Sequence, residues 1–177
     1  AIMTKLRKIR VSIPKEVKDI IATLTKAGFK AYIVGGSVRD LLLENPPTGG
    51  PKDWDVATDA KPEEIQRLFP DSVYENQFGT VGIKTDSDEK SLAIVEVTTF
   101  RKEETYSDLR HPDNVTFASN IEDDLARRDF TVNAMALSLD GEIIDPFGGQ
   151  EDLKNKIIRA VGDPRKRFAE DALRLMR

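Results

Sequence analysis

The sequence predicts an α+β fold, and three observations carry that prediction. Apolar residues recur at helical spacing in some segments, most clearly Val17, Ile20, Ile21 and Leu24. Other segments are short, unbroken apolar runs of strand length. Three of these runs follow one another with turn signals between them, as a meander of antiparallel strands requires. With 39% of its 177 residues hydrophobic, the chain can bury a real core, which excludes wholesale disorder.

Ser12 and Pro14 read as the N-cap and first turn of the opening helix, which Gly28 ends. Phe29 to Val34 (FKAYIV) is a buried strand running into Gly35-Gly36, and Ser37 to Glu44 is a short helix directly after the glycines. The loop 45–52 (NPPTGGPK) is too rich in Pro and Gly for regular structure. Asp53 to Asp59 returns to a strand, and Pro62 to Phe69 forms a helix. The meander is Asp71–Tyr74, Val81–Lys84 and Leu92–Phe100, turning at Phe78-Gly79 and at Asp86-Ser87-Asp88. Residues 101–120 are polar and aperiodic, so a loop is expected. A helix over Asn120–Ala136, a hairpin around Asp140-Gly141 and a helix from Pro164 to the chain end complete the reading.

Several function classes are excluded by composition. No apolar run approaches the roughly 20 residues that span a bilayer, and the basic segment Ala1–Arg10 lacks the features of a signal peptide. With no Cys there is no disulfide, zinc–thiolate or iron–sulfur site, and a cytoplasmic location is expected. The single histidine, His111, lies in the polar loop and is assigned no metal role. Any metal must therefore be held by oxygen, which suits Mg²⁺. The net charge of −4 argues against a nucleic-acid coat protein, but not against an enzyme that meets nucleic acid at one end. Basic clusters at 5–10 (Lys5, Arg7, Lys8, Arg10) and 165–167 read as solvated charge. No membrane and no protein partner are implied.

Four patterns carry chemistry. Gly35-Gly36-Ser37-Val38-Arg39-Asp40 sits between a strand and a helix. It is either a tight turn or a seat where backbone N–H groups and Arg39 meet a phosphate. Asp53-Trp54-Asp55 reads either as an Asp-rich turn or as the opening of a strand, and in a strand both carboxylates point one way while Trp54 turns to the core. Paired carboxylates repel, and a divalent cation removes that penalty. Glu96 breaks the apolar run AIVEVTTF and reads either as a third ligand or as a paired structural carboxylate. Arg127-Arg128-Asp129 is followed by FTVNA and reads either as a salt-bridge network or as part of a site. On a final helix at about 100° per residue, Phe168, Ala172, Leu175 and Met176 share one face. Arg167, Glu170, Asp171, Arg174 and Arg177 share another arc.

Taken in order, GGSVRDLLL, DWD, VEVTTFR, RRDFTVNAMAL and DPFGGQEDLKNKIIRAVGDPRKRFAEDALRLMR resemble the class II tRNA nucleotidyltransferases (CCA-adding enzymes) and the related bacterial poly(A) polymerases. Both belong to the DNA polymerase β-like nucleotidyltransferase superfamily, and the resemblance covers about residues 29–177. It implies a catalytic head with a small mixed, largely antiparallel sheet backed by helices, leading into a helical domain. The expected organisation is an N-terminal basic segment (1–13), the head (14–162) and the start of a helical neck (163–177).

The reaction implied is Mg²⁺-dependent, template-independent addition of C and A, from CTP and ATP, to the 3′ end of tRNA. The resemblance makes Asp53 and Asp55 catalytic carboxylates for two Mg²⁺ ions, with Glu96 a further candidate ligand. It gives the triphosphate to Gly35, Gly36 and Arg39, the incoming nucleotide to Arg128 and Arg177, and the sugar's vicinity to Asp129 and Asn133. The pattern Glu170-Asp171-Ala172-Leu173-Arg174 implies base selection, with Asp171 accepting from an exocyclic amino group and Arg174 donating to ring acceptors. Poly(A) polymerase is the alternative activity. The compact segment between VEVTTFR and RRDFT favours tRNA over it. A non-catalytic nucleotide-binding module is a further alternative, opposed by the intact Asp53 and Asp55. Ending in mid-motif for the family, the chain is expected to be part of a longer protein.

Overall fold

The structure, a computed structural model, describes residues 13–43, 47–48, 50–75, 78–102 and 116–177, the side chain of Ala172 excepted. Ser12, the 5–10 basic cluster, His111 and most of the expected 101–120 loop lie outside the described residues.

Strands β1 (Ala31–Val34), β2 (Asp55–Thr58), β3 (Ser72–Tyr74), β4 (Thr80–Lys84), β5 (Ile94–Thr99), β6 (Ala136–Leu137) and β7 (Ile143–Ile144) form one sheet. Their order is β3-β4-β5-β2-β1-β6-β7. Among the described residues only β2 and β5 pair in parallel, with Asp55 opposite Glu96. The other neighbours are antiparallel. This is the mixed, largely antiparallel sheet the sequence predicts, and the expected meander is β3-β4-β5.

Side-chain alternation divides the sheet into two faces with different covers. On one, Ile33, Val56, Val81, Ile83, Val95 and Val97 pack against α1 (Lys15–Lys26), α2 (Gly36–Leu42) and α3 (Pro62–Leu68). On the other, Val34, Ala57 and Ala136 pack against Ile121 and Leu125 of α4 (Ile121–Ala126). Asp55 and Glu96 have the parity of this second face. Pro14 stands at the N-cap of α1 rather than inside its first turn, its carbonyl accepting from Lys18 N–H at 3.1 Å. Gly28, at φ +92°, ends that helix as expected.

The helix expected over Asn120–Ala136 is a correction: α4 is regular only to Ala126. Asn120 does cap it, accepting from Asp123 N–H at 2.8 Å. Beyond Arg128 the backbone is claimed by a distant segment. Val161 N–H donates to Asp129 O and Thr131 N–H to Arg159 O, both at 2.9 Å. A 3₁₀ turn over Thr131–Asn133 follows, and Ala136–Leu137 then joins the sheet beside β1. Tertiary hydrogen bonds outweigh local helical preference here. The expected hairpin is present as β6–β7. A short helix α5 (Gly149–Lys154) separates it from the last segment.

The final helix is a second correction. The helix α6 (Pro164–Glu170) ends where Asp171 turns extended, at φ −145° and ψ 106°. The Asp171 carboxylate accepts from Leu173 N–H at 3.0 Å and starts a 3₁₀ turn over Ala172–Met176. An aspartate competes for backbone donors and favours a cap over a helix interior. The two arcs of a single α-helix therefore do not form. Leu175 and Met176 are exposed, whereas Arg167 and Arg174 are buried. No helix among the described residues is long and apolar enough to cross a membrane.

Candidate active site

The β1–α2 connection turns at Gly35 with φ 75° and ψ −141°, a conformation open to glycine. Side chains press close on both glycines. A Cβ on Gly35 would lie 3.2 Å from an Arg128 guanidinium nitrogen and 3.9 Å from an Asp55 oxygen. One on Gly36 would lie 3.3 Å from the Arg39 guanidinium. The two glycines thus let three functional groups gather around one backbone turn.

The strand expected from Asp53 begins only at Asp55, but Trp54, just ahead of it, is 5% exposed and packs in the core, while Asp53 and Asp55 on either side of it both line one depression. Asp53 is exposed and Asp55 half-buried. With Gly36, Arg39 and Lys52 they line an open depression of about 440 Å³. Burial pushes the Asp55 carboxyl above the usual range, Asp53 adds to that rise and Arg128 opposes it. Glu96, opposite Asp55 across the β2–β5 pair, is raised by burial first and then by Asp55 and Glu75. Carboxylates held close together at partial burial are the chemistry of a cation site with oxygen donors. No group of three or more acidic or histidine side chains among the described residues is arranged to hold a metal ion. Asp53 and Asp55 are the pair that fits one.

Arg39 is held from two sides: its Nε donates to Asp40 at 2.9 Å and a terminal nitrogen donates to Asn133 Oδ1 at 2.9 Å. From Asn133 the bonds continue. Its Nδ2 donates to Asp129 at 3.2 Å, and Arg177 donates to the other Asp129 oxygen at 3.0 Å. Arg177 also lies 3.8 Å from Asp171. Burial alone would raise the Asp129 carboxyl, yet Phe130 N–H, Asn133 and Arg177 hold it below the usual range. Arg128 donates to the buried Asp124 at 3.1 Å, and its Nε is buried with no hydrogen-bond partner.

The structure thus gathers Gly35, Gly36, Arg39, Asp53, Asp55 and Arg128 and links Asn133, Asp129, Arg177 and Asp171 to them through Arg39. It places Arg174 differently from a base-reading arc. Its guanidinium donates to Arg167 O and Glu170 at 2.8 Å and reaches toward Arg127 O at 3.5 Å. Sequence reasoning missed Lys52, which only the loop's path brings to the depression. It also missed Asp124, for which an i,i+4 Asp–Arg pair was an available signal.

A pH prediction follows from Asp55. Because its carboxyl is raised in the fold, ionisation costs stability above the ordinary carboxylate range, and the cost disappears in acid. Without added metal, Asp55→Asn is expected to melt above the parent at pH 7 and to lose that advantage below about pH 4. Thermal melts across pH check this, and a lower midpoint than the parent at pH 7 contradicts it.

Residues 31–159 match the poly A polymerase head domain family. The CCA-adding enzyme of Lactobacillus helveticus (strain DPC 4571) is 53% identical over 159 residues, 89% of this chain and 38% of that protein. The chain therefore spans well under half the length of the curated relatives it matches. The crystal structure of Bacillus stearothermophilus CCA-adding enzyme in complex with CTP aligns with a TM-score of 0.78 at 42% identity. That alignment covers 93% of this chain and 38% of that one. A tRNA nucleotidyltransferase complexed with a primer tRNA and an incoming ATP analog aligns with a TM-score of 0.62 at 31% identity, over 89% of this chain and 42% of that one.

Proposed function

Because the chain belongs to the poly A polymerase head domain family, we propose that it is the catalytic head of a template-independent nucleotidyltransferase that adds C and A to the 3′ end of tRNA. The single observation that supports this best is the depression where Asp53 and Asp55 meet Gly36, Arg39 and Lys52. Carboxylates for a metal stand there beside cations for a triphosphate. CTP, ATP and tRNA, in preference to poly(A), come to this chain from the relatives it resembles.

In the reaction, the terminal 3′ oxygen of the RNA bonds to the α-phosphorus of CTP or ATP. The bond from that phosphorus to its bridging oxygen breaks, pyrophosphate leaves, and the hydroxyl proton passes to water. Asp53 and Asp55 would hold Mg²⁺; Glu96 stands opposite Asp55 in the parallel register but forms no three-ligand group with them among the described residues. When bound, Mg²⁺ supplies positive charge for the attacking and leaving oxygens. Gly35 and Gly36 admit the phosphates close to the backbone. Arg39, already fixed by Asp40 and Asn133, presents its remaining donors without an ordering cost. Arg128 and Arg177 add charge for the nucleotide, and Asp129 and Asn133 flank its sugar. Asp171 and Arg174 select the base, which requires Arg174 to offer ring acceptors an edge beyond its present bonds. The exposed Leu173, Leu175 and Met176 support reading residues 163–177 as the opening of a helical domain.

Two variants test the assignment in a protein that contains this whole chain, with tRNA lacking its terminal nucleotides. Asp53→Ala or Asp55→Ala is expected to keep the fold while incorporation falls more than a hundredfold, about 2.7 kcal/mol of barrier. Activity within about tenfold of the parent would remove the carboxylates from catalysis. Arg174→Ala is expected to lower incorporation of C and A and to narrow the margin against UTP and GTP. An equal loss for all four triphosphates makes Arg174 a packing residue and ends its base-selecting role.

A further inference from the structure

Asp124 is 2% exposed, yet nothing in the chemistry proposed above uses it. Its two oxygens are committed to two different parts of the fold. One accepts from the Arg101 backbone N–H at 3.0 Å. Arg101 lies two residues beyond the end of β5, the strand in which Glu96 pairs with Asp55. The other accepts from a terminal nitrogen of Arg128 at 3.1 Å. Asp124 and Arg128 are four residues apart, but α4 ends at Ala126, so Arg128 is on the turn that leaves the helix.

The other terminal nitrogen of that guanidinium faces Gly35, where a Cβ would stand 3.2 Å away, on the side of Asp55. Arg128 therefore lies between two carboxylates of unequal strength. Asp124 is buried and fixed to the main chain, whereas Asp55 borders the open depression. Burial would raise the Asp124 carboxyl, but Arg128, Arg127 and Arg101 hold it below the usual range, so it remains an anion. An arginine freed from Asp124 would have a second anion within easy reach. Collapse onto Asp55 would neutralise both groups and withdraw them from phosphate and metal.

We propose that Asp124 is a positioning residue that tethers Arg128 to the end of β5 and keeps its guanidinium free of Asp55, directed at the incoming nucleotide. The proposal rests on the reading of Arg128 as a nucleotide-binding residue. It also explains why a carboxylate is spent in an apolar layer beside Ile121 and Leu125, where an unpaired charge is costly.

The test is a double-mutant cycle on CTP affinity, measured by calorimetry with Mg²⁺ on this chain, with Asp124→Asn, Arg128→Ala and the two combined. Asparagine keeps the acceptor for Arg101 N–H and removes the charge that holds Arg128. Asp124→Asn is expected to weaken CTP about tenfold in the parent background and less than about twofold when Arg128 is already alanine. An equal loss in both backgrounds would show that Asp124 only supports the fold and would overturn the proposal. Arg128→Ala with unchanged affinity would overturn the assignment of Arg128 itself, and the tether with it. If Asp124→Asn yields no folded protein, Asp124→Glu takes its place in the same cycle. It keeps the charge but displaces it by one methylene, so its loss of affinity should likewise vanish in the Arg128→Ala background.

Discussion

The alternation of β2 governs the site. Val56 of β2 and Trp54 just ahead of it are buried in the core on the helical side, which leaves Asp55 on the other face and Asp53 beside it at the depression. A slip of one residue in β2 would turn Asp55 into the core and Val56 out of it, so the hydrophobic effect itself enforces the arrangement. The same alternation along β5 puts Glu96 on that side, because Val95 and Val97 are core residues. Charge is thus concentrated at one end of the sheet as a by-product of burying its other face. Everything near it answers that concentration: Arg128 from beyond α4, Arg39 from α2, and a depression open to ligands.

Order in the surrounding groups comes from several hydrogen bonds to each of the buried arginines of the last segment. The buried Arg167 donates to Val161 O and Ala126 O at 3.0 Å and to Glu170 at 3.2 Å. Arg174 adds its bonds to Arg167 O and Glu170. Carbonyls left open where α4 ends are thereby met by cations, which also suits the negative end of a helix. Buried ion pairs are weak stabilisers unless their remaining donors and acceptors are satisfied. Here they are satisfied largely by main chain, so the last segment is tied to the same turn from which Arg128 and Asp129 project. The Arg39–Asn133–Asp129–Arg177 bonds join that segment to the Arg39 side of the depression.

Much of this was legible in the sequence because it depends on local pattern. The meander, the parity of Asp53 and Asp55 and the glycine turn before Arg39 all follow from spacing and residue type. The errors were of one kind. Asn120–Ala136 reads as helix because its apolar spacing is helical, but backbone bonds from Arg159 and Val161 divert it, and no local signal announces partners thirty residues away. Pro164 to the chain end reads as one helix because its composition suits one, but Asp171 prefers to cap. That single break turned Arg174 inward and left Leu175 and Met176 outside. Asp124 was overlooked as one acid among three in IEDDLA, since burial cannot be read from charge alone.

The central claim is that the charge of Asp53 and Asp55 is completed by a divalent cation when a triphosphate binds. Calorimetric titration of CTP into the chain, with Mg²⁺ and then with EDTA in its place, tests this most directly. The account predicts affinity at least about tenfold weaker without the cation, because two uncompensated carboxylates then repel the phosphates. Equal affinity in both conditions would contradict it, leaving the arginines as sufficient and the carboxylate pair without the role assigned to it.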